Sequence, residues 1–415
     1  MTLQQRAFPI HAPRSAAAPT LADGHRLMRA GDPAAAFVAY AEHAAAAAAK
    51  GPSLAFAALA ALRLGRADAA RRLADEAHGV AGEDPTVRQV VALTRRPEVR
   101  AAVAASEVAP SPAMLAQVRT ALEDILRLVG FRGLQDLGFH LQRNDFYSPV
   151  NDCAFLEANP DLWREPPAVP PDIAWRDDAQ LQVLRELAPY VRELDDVPDV
   201  AGPDPSAYAW KNGFWENGDA LAQYGFVRAR KPRRYIEIGS GWSSLLLKRA
   251  LARNAAEGAP CDVTLVEPHP NPRIFAHLPA AWTHRHEILQ RVPLDCFEAL
   301  GPGDILFYDG SHCAKVASDV NWFFFRVLPR VRPGVLIHLH DISLPQEYPD
   351  PWIFERGQTW NEQYVLQAFL MHNRAYEIEL ANRYLYVNHR EACEAAFGGT
   401  RPAYGSSFWM RKVTP

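Results

Sequence analysis

The stretch Tyr235-Ile236-Glu237-Ile238-Gly239-Ser240-Gly241-Trp242-Ser243-Ser244 decides the fold. A short, mostly apolar strand runs into a glycine turn, and the turn runs into a segment of helical pattern. Glycines at 239 and 241 let backbone approach a ligand closely at the carboxyl end of a strand. A bare Gly-x-Gly is weak evidence, and two acids sharpen it. Glu237 stands two residues before the first glycine, where it suits a ligand carrying a positive amino group. A dinucleotide fingerprint would place a glycine at 244, where this chain has Ser244. Glu267 ends the next apolar strand, in Leu265-Val266-Glu267-Pro268, and a carboxylate there can accept both hydroxyls of a ribose.

Outward from this turn the pattern alternates. Strands are predicted at Tyr235–Ile238, Val263–Val266, Asp304–Tyr308 and Val335–Leu339, with helices over Ser243–Arg253, Lys315–Leu328 and Glu362–His372. Strands alternating with helices imply a parallel α/β sheet. Tyr376–Leu380 and Ser407–Lys412 read as two closing strands. Two more strand ends carry unusual residues: Asp309-Gly310-Ser311-His312 and His338-Leu339-His340-Asp341. Both should emerge at the carboxyl edge that holds the glycine turn, where open α/β sheets bind ligands. On residue chemistry alone, His312 could serve as a base or cap the helix after it. Asp309 and Asp341 could hold a metal, bond backbone amides or meet a cofactor's amino group. His338 is expected to turn to the side opposite His340, or into packing. Cys313 reads as a bystander.

Together these motifs resemble the class I S-adenosylmethionine-dependent methyltransferases. Glu237, Gly239, Ser240, Gly241 and Glu267 match the family's first two motifs, and Ser243 stands where the family usually has a third glycine. Asp309-Gly310-Ser311-His312, Asp319, Leu328-Pro329 with Pro333-Gly334, and His340-Asp341 resemble the subgroup that includes metal-dependent sugar and natural-product O-methyltransferases. The resemblance spans roughly residues 205 to 415. It implies a Rossmann-like α/β sheet that ends in the closing strand pair. It implies S-adenosylmethionine held by Glu237, Gly239, Ser240, Gly241, Ser243, Glu267 and Asp309. It makes His312 the general base, and Asp309 and Asp341 metal ligands with His340 at a third ligand position. A magnesium enzyme would prefer a carboxylate at 340, so Mg²⁺ or another divalent metal stays open. The implied activity is methyl transfer to a hydroxyl of a sugar, natural product or other small metabolite. Tyr208, Trp210, Phe214, Trp215 and the patch Trp360-Asn361-Glu362-Gln363-Tyr364 suit a pocket for such a small-molecule acceptor, or ordinary core packing.

The other half of the chain is different. Residues 20–105 are Ala-rich and helical in pattern, and Gly31-Asp32-Pro33-Ala34 aligns with Gly65-Arg66-Ala67-Asp68 at an offset of 34 residues. This looks like a tetratricopeptide-type helical repeat. About two and a half units are visible where such arrays need three, so the domain is expected to dock on the rest of the chain, on a second copy as a homodimer, or on a protein partner. Residues 1–19 read as a flexible terminus, 106–200 as a proline-rich linker and cap, and 201–415 as the α/β domain.

Bulk composition narrows the rest. The 415 residues are 48% hydrophobic with a net charge of −4. No dense Lys/Arg run exists, which argues against nucleic acid and anionic membranes as partners. The cysteines number five, without metal-ligand spacing, and fit a reducing, cytoplasmic setting. Two rival functions stand beside the enzyme reading: a scaffold acting through its helical repeats, and a transferase with a peptide acceptor. An NAD-linked oxidoreductase is disfavoured by Glu237 and Ser244.

Overall fold

The computed structural model describes residues 27, 33–46, 51–63, 67–84, 87, 88, 90, 91, 112–136, 138–164, 172–202, 206–398 and 401–414. The expected flexible terminus, the repeat positions Gly31, Asp32, Gly65 and Arg66, and prolines 166, 167, 170 and 171 lie outside the described residues. The chain divides into two compact units, Met1–Arg143 and Asn144–Pro415.

In the first unit, helices Pro33–Ala46, Gly51–Arg63 and Ala67–Ala81 pack in succession. Small residues allow the close approach. Ala55, Ala58, Ala61, Ala70 and Ala77 are fully buried, and a Cβ on Gly51 would sit 2.2 Å from that of Ala81. Tyr40 and Phe56 stack with centroids 5.5 Å apart, filling the space that alanines leave. A further helix, Pro112–Asp136, is broken at Gly130, whose φ is 71°.

The second unit is built on a seven-stranded sheet: β1 Arg234–Ile238, β2 Asp262–Val266, β3 Thr283–Arg285, β4 Ile305–Tyr308, β5 Leu336–Leu339, β6 Tyr376–Ala381 and β7 Phe408–Lys412. The order is β3-β2-β1-β4-β5-β7-β6. β1 to β5 pair in parallel, and β7 inserts antiparallel between β5 and β6. This is the Rossmann-like α/β sheet with its closing strand pair. Strands covered on both faces must be apolar throughout, and every residue of β4 and β5 is buried.

The helix Asp177–Val191 buries Leu184, Leu187 and Val191 in the same core as the sheet. The part of the expected linker and cap from 177 onward is thus integral to the α/β unit. The helix expected at Lys315–Leu328 begins only at Asp319. Ala317 has a left-handed φ of 57°, and the Ser318 hydroxyl caps the helix by accepting from the Asn321 amide at 3.2 Å. The helix then widens into a π turn over Phe323–Val327 before Pro329, whose ring crowds the carbonyl four residues back. No described helix is long and apolar enough to cross a membrane.

Candidate functional site

The glycine turn leaves β1 at Gly239, whose φ is 83°. A Cβ there would lie 1.8 Å from the backbone oxygen of Asp309, so only glycine lets the ends of β1 and β4 meet. The approach is fastened by Asp309 N–H donating to the Ile238 carbonyl at 2.8 Å and Gly239 N–H donating to that of Val266 at 3.0 Å. Glu237 is fully buried. Its Oε1 accepts from the hydroxyls of Ser243 at 2.6 Å and Ser244 at 2.8 Å. Burial pushes its carboxyl up to about 8 against the pull of the two serines. Ser243 thus works inward, holding the acid that precedes the turn. Glu267 is oriented by the amides of Ser240 at 3.1 Å and His269 at 2.7 Å. A carboxylate has about four lone-pair sites, so these two bonds leave capacity for a diol.

Gly239, Ser240, Gly241, Ser243, Glu267, Asp309, His340 and Asp341 all line one cavity of about 390 Å³, walled also by Phe214, Trp215 and Ile274. A second cavity of about 360 Å³ shares Gly239, Glu267 and Asp309 with it and extends over Ile288 and Leu289. Glu237 and His312 are among the lining residues of neither. Larger cavities of about 430 and 560 Å³ lie around Arg176 and Ile378, away from these strand ends. Among their arginines, Arg176 pairs with Glu377 at 3.0 Å, Arg411 with Glu379 at 2.7 Å and Arg230 with Glu186 at 3.0 Å.

Beyond β4 and β5 the side chains converge. His312 and Asp341 both have left-handed backbone, with φ of 58° and 56°. Such strain persists where surrounding structure enforces it, often at functional sites. His312 Nε2 lies 3.3 Å from Asp309 Oδ1 and 3.7 Å from Asp341 Oδ2. His340 Nδ1 lies 3.6 Å from Asp309 Oδ2 and 3.5 Å from Asp341 Oδ1. The two carboxylates therefore sit between two imidazoles, each carboxylate offering one oxygen to each ring. Ligand atoms of Asp309, His312 and Asp341 all fall within 4.8 Å of one another, a spacing fit for a cation. Burial disfavours a charged His312, but Asp309 and Glu362 outweigh it and raise the imidazole well above its usual range. Burial likewise works against a charged His340, and the aspartates at 341, 309 and 219 overcome it. Asp309 is held well below the usual carboxylate range, the two histidines more than offsetting its burial.

Behind each histidine stands an acid that the motifs did not reveal. Glu362, fully buried at the start of helix Glu362–Leu370, lies 2.9 Å from His312 Nδ1. The same segment grips the histidine's backbone: Asn361 and Glu362 amides donate to the His312 carbonyl at 3.0 and 3.2 Å. Trp360 packs on the ring with centroids 4.1 Å apart. Asp219, on helix Asn217–Arg230, lies 3.4 Å from His340 Nε2. Asp219 is fixed by the amides of Ser406 at 2.7 Å and Ser407 at 2.6 Å. That bond explains why β7 starts at Phe408: the Ser407 amide is spent on Asp219. Asp319 organises the loop before His312, accepting from the Ser311 amide at 2.7 Å and the Tyr308 hydroxyl at 3.1 Å. Glu362 lay within the aromatic patch noted in the sequence, but nothing local marked Asp219.

His338 does not turn away from His340. Residues two apart on a strand share a face, and both rings pack against Trp215. The packing expectation holds instead: His338 is sandwiched between Phe307 at 4.2 Å and Trp409 at 4.0 Å. All five cysteines are free thiols.

Residues 236–342 match the family model described as a methyltransferase domain, a span that runs from β1 through Asp341. An uncharacterized protein of Archaeoglobus fulgidus is 29% identical over 162 residues, covering 37% of this chain and 70% of the relative. The solved apo structure of CmcI-N160 is similar at 13% identity with a TM-score of 0.30, over 48% of this chain and 73% of that one.

Proposed function

We propose that this protein transfers a methyl group from S-adenosylmethionine to a hydroxyl of a sugar, natural product or other small metabolite. The observation that carries the reading is one cavity in which the glycine turn and Glu267 face Asp309, His340 and Asp341, with His312 directly behind the two aspartates. In this reading the turn Gly239–Gly241 and Glu267 hold the nucleoside and amino-acid ends of the cofactor. When bound, its sulfonium supplies the methyl group and leaves as a neutral thioether. The acceptor oxygen must lie in line with that methyl group, and its proton must leave as the new C–O bond forms. His312 Nε2 takes the proton, and Glu362 holds Nδ1 so that Nε2 stays directed at the reacting edge. A divalent cation held by Asp309, Asp341 and His340 would lower the acceptor hydroxyl's pKa and orient it. It would also offset the negative field that keeps His312 protonated.

We assign the N-terminal helices, as a tetratricopeptide-like module, to docking of a partner or a second copy. The test is calorimetric titration of the full chain with S-adenosylmethionine, with NAD as control. Selective binding in the micromolar range, about 8 kcal/mol, is expected. Equal or tighter binding of NAD, or no cofactor binding with or without a divalent ion, overturns the reading.

A further inference from the structure

The helix Pro112–Asp136 leaves uncovered what the three helices before it bury. Val118, Leu122, Ile125 and Val129 recur at steps of four, three and four residues, which sets all four on one side of the helix. They are large and apolar, yet each is 39–45% exposed, and none belongs to the alanine-rich core of the first unit. Leu126 and Leu128 widen the stripe on its two flanks. The charged residues keep off it and pair along the helix, Arg119 with Glu123 at 3.2 Å and Arg127 with Asp124 at 3.0 Å. The stripe ends at Gly130, whose left-handed backbone breaks the helix.

Ordering a helix costs conformational entropy, and burial of an apolar stripe is what ordinarily offsets it. Alternating steps of three and four are the spacing of a coiled-coil seam, in which each apolar side chain enters a gap on a facing helix of the same kind. Among the described residues, no other helix leaves more than one large apolar side chain exposed. Within those residues the stripe has no match, whereas another copy of the chain carries an identical one. Charge permits that pairing. Three arginines balance three acids along the helix, so two copies meet without net repulsion, and Ala121, Leu126 and Leu128 beside the seam are uncharged.

We propose that Val118, Leu122, Ile125 and Val129 form a homodimer seam, on which the same helix of a second copy packs as a two-stranded coiled coil. The site lies outside the repeat-like helices and is independent of the methyl-transfer reading. From Pro112 to Val129 the helix runs about 27 Å. Such a seam buries less than a standard stable interface, so association in the micromolar range is expected rather than nanomolar.

The experiment follows the mass of the full-length protein by sedimentation and light scattering across the micromolar range. We expect a reversible monomer–dimer equilibrium. Leu122→Glu combined with Ile125→Glu sets like charges at facing positions and should raise the dimer Kd at least about a hundredfold. Leu122→Lys combined with Ile125→Lys should do the same. Mixed in equal amounts, the two variants should recover association, because opposite charges then face each other whichever way the helices run. Val80→Glu, at an exposed position of the repeat-like helices, should leave the dimer unchanged. Circular dichroism and the thermal midpoint of each variant show that it is folded. A chain that stays monomeric throughout overturns the proposal. So does a dimer that survives the double-glutamate change, or one lost with Val80→Glu, which places the contact on the repeat-like helices. Loss of the dimer in both charged variants without recovery on mixing overturns it as well: the stripe is then covered by its own chain, and its disruption acts at a distance.

Discussion

At His312 a buried imidazole meets two acids, Asp309 at its Nε2 and Glu362 at its Nδ1. A group so placed can accept a substrate proton only after giving up its own. Replacing it should therefore affect turnover far more than cofactor affinity. For His312→Ala, kcat is expected to fall about 100- to 10,000-fold, the usual worth of a general base. Calorimetry should show S-adenosylmethionine binding within a few-fold of the native protein; undiminished turnover removes His312 from the chemistry. Glu237 poses a different question, one of stability. Its folded-state carboxyl titrates near 8, against an ordinary value of 4.5. Between those values the folded protein holds a proton that the unfolded chain has released, so stability declines as pH rises through that window and levels off above it. Glu237→Gln lacks this titration. Its thermal midpoint should exceed that of the native protein by a few degrees at pH 8 and converge with it near pH 4; parallel curves across that range would falsify the assignment.

Among elements, the junction of β1 with β4 is the most constrained. Gly239→Ala introduces a Cβ against the Asp309 backbone oxygen and a side chain at φ 83°. The two strand ends must part, and Glu267 and the turn lose register. The expected result is a loss of about 2 kcal/mol or more in stability, read by denaturant titration, together with at least a tenfold loss of S-adenosylmethionine affinity. These strands were legible in the sequence to within about a residue, because buried parallel strands are short apolar runs bounded by turns. The segment from Lys315 to Leu328 misled for an equally physical reason. Its apolar spacing fits a continuous helix, but spacing does not register the left-handed turn at Ala317 or the crowding by Pro329. Asp219 and Glu362 were invisible as partners of the histidines because each acts across a long sequence separation; Glu362 and His312 are 50 residues apart. Motif reading finds groups that share a strand end, not the acids that other helices bring behind them.

At the scale of the α/β unit, the helical layer is tied by Arg228, buried among Glu193 at 2.8 Å, Glu257 at 2.5 Å and Asn254. Arg228→Met would remove the buried guanidinium that joins these acids, leaving Glu193 to Tyr224 and Arg253 and Glu257 to Lys231. A loss of about 1–2 kcal/mol is expected for the lost buried charge-assisted hydrogen bonds, seen as a lower urea midpoint with unchanged m; a shift within experimental error would mean the remaining partners and water compensate fully. The insertion of β7 between β5 and β6 carries one more consequence, and it concerns time. Asp219 is locked by a serine amide that follows it by 187 positions in the chain. During synthesis the glycine turn, both aspartates and both histidines emerge well before the residues that seat Asp219. Until Ser406 and Ser407 arrive, His340 has nothing fixed behind it. The pocket is thus finished by a stretch made after all of its motifs, and chains cut short before that stretch would carry every motif yet hold an unready centre.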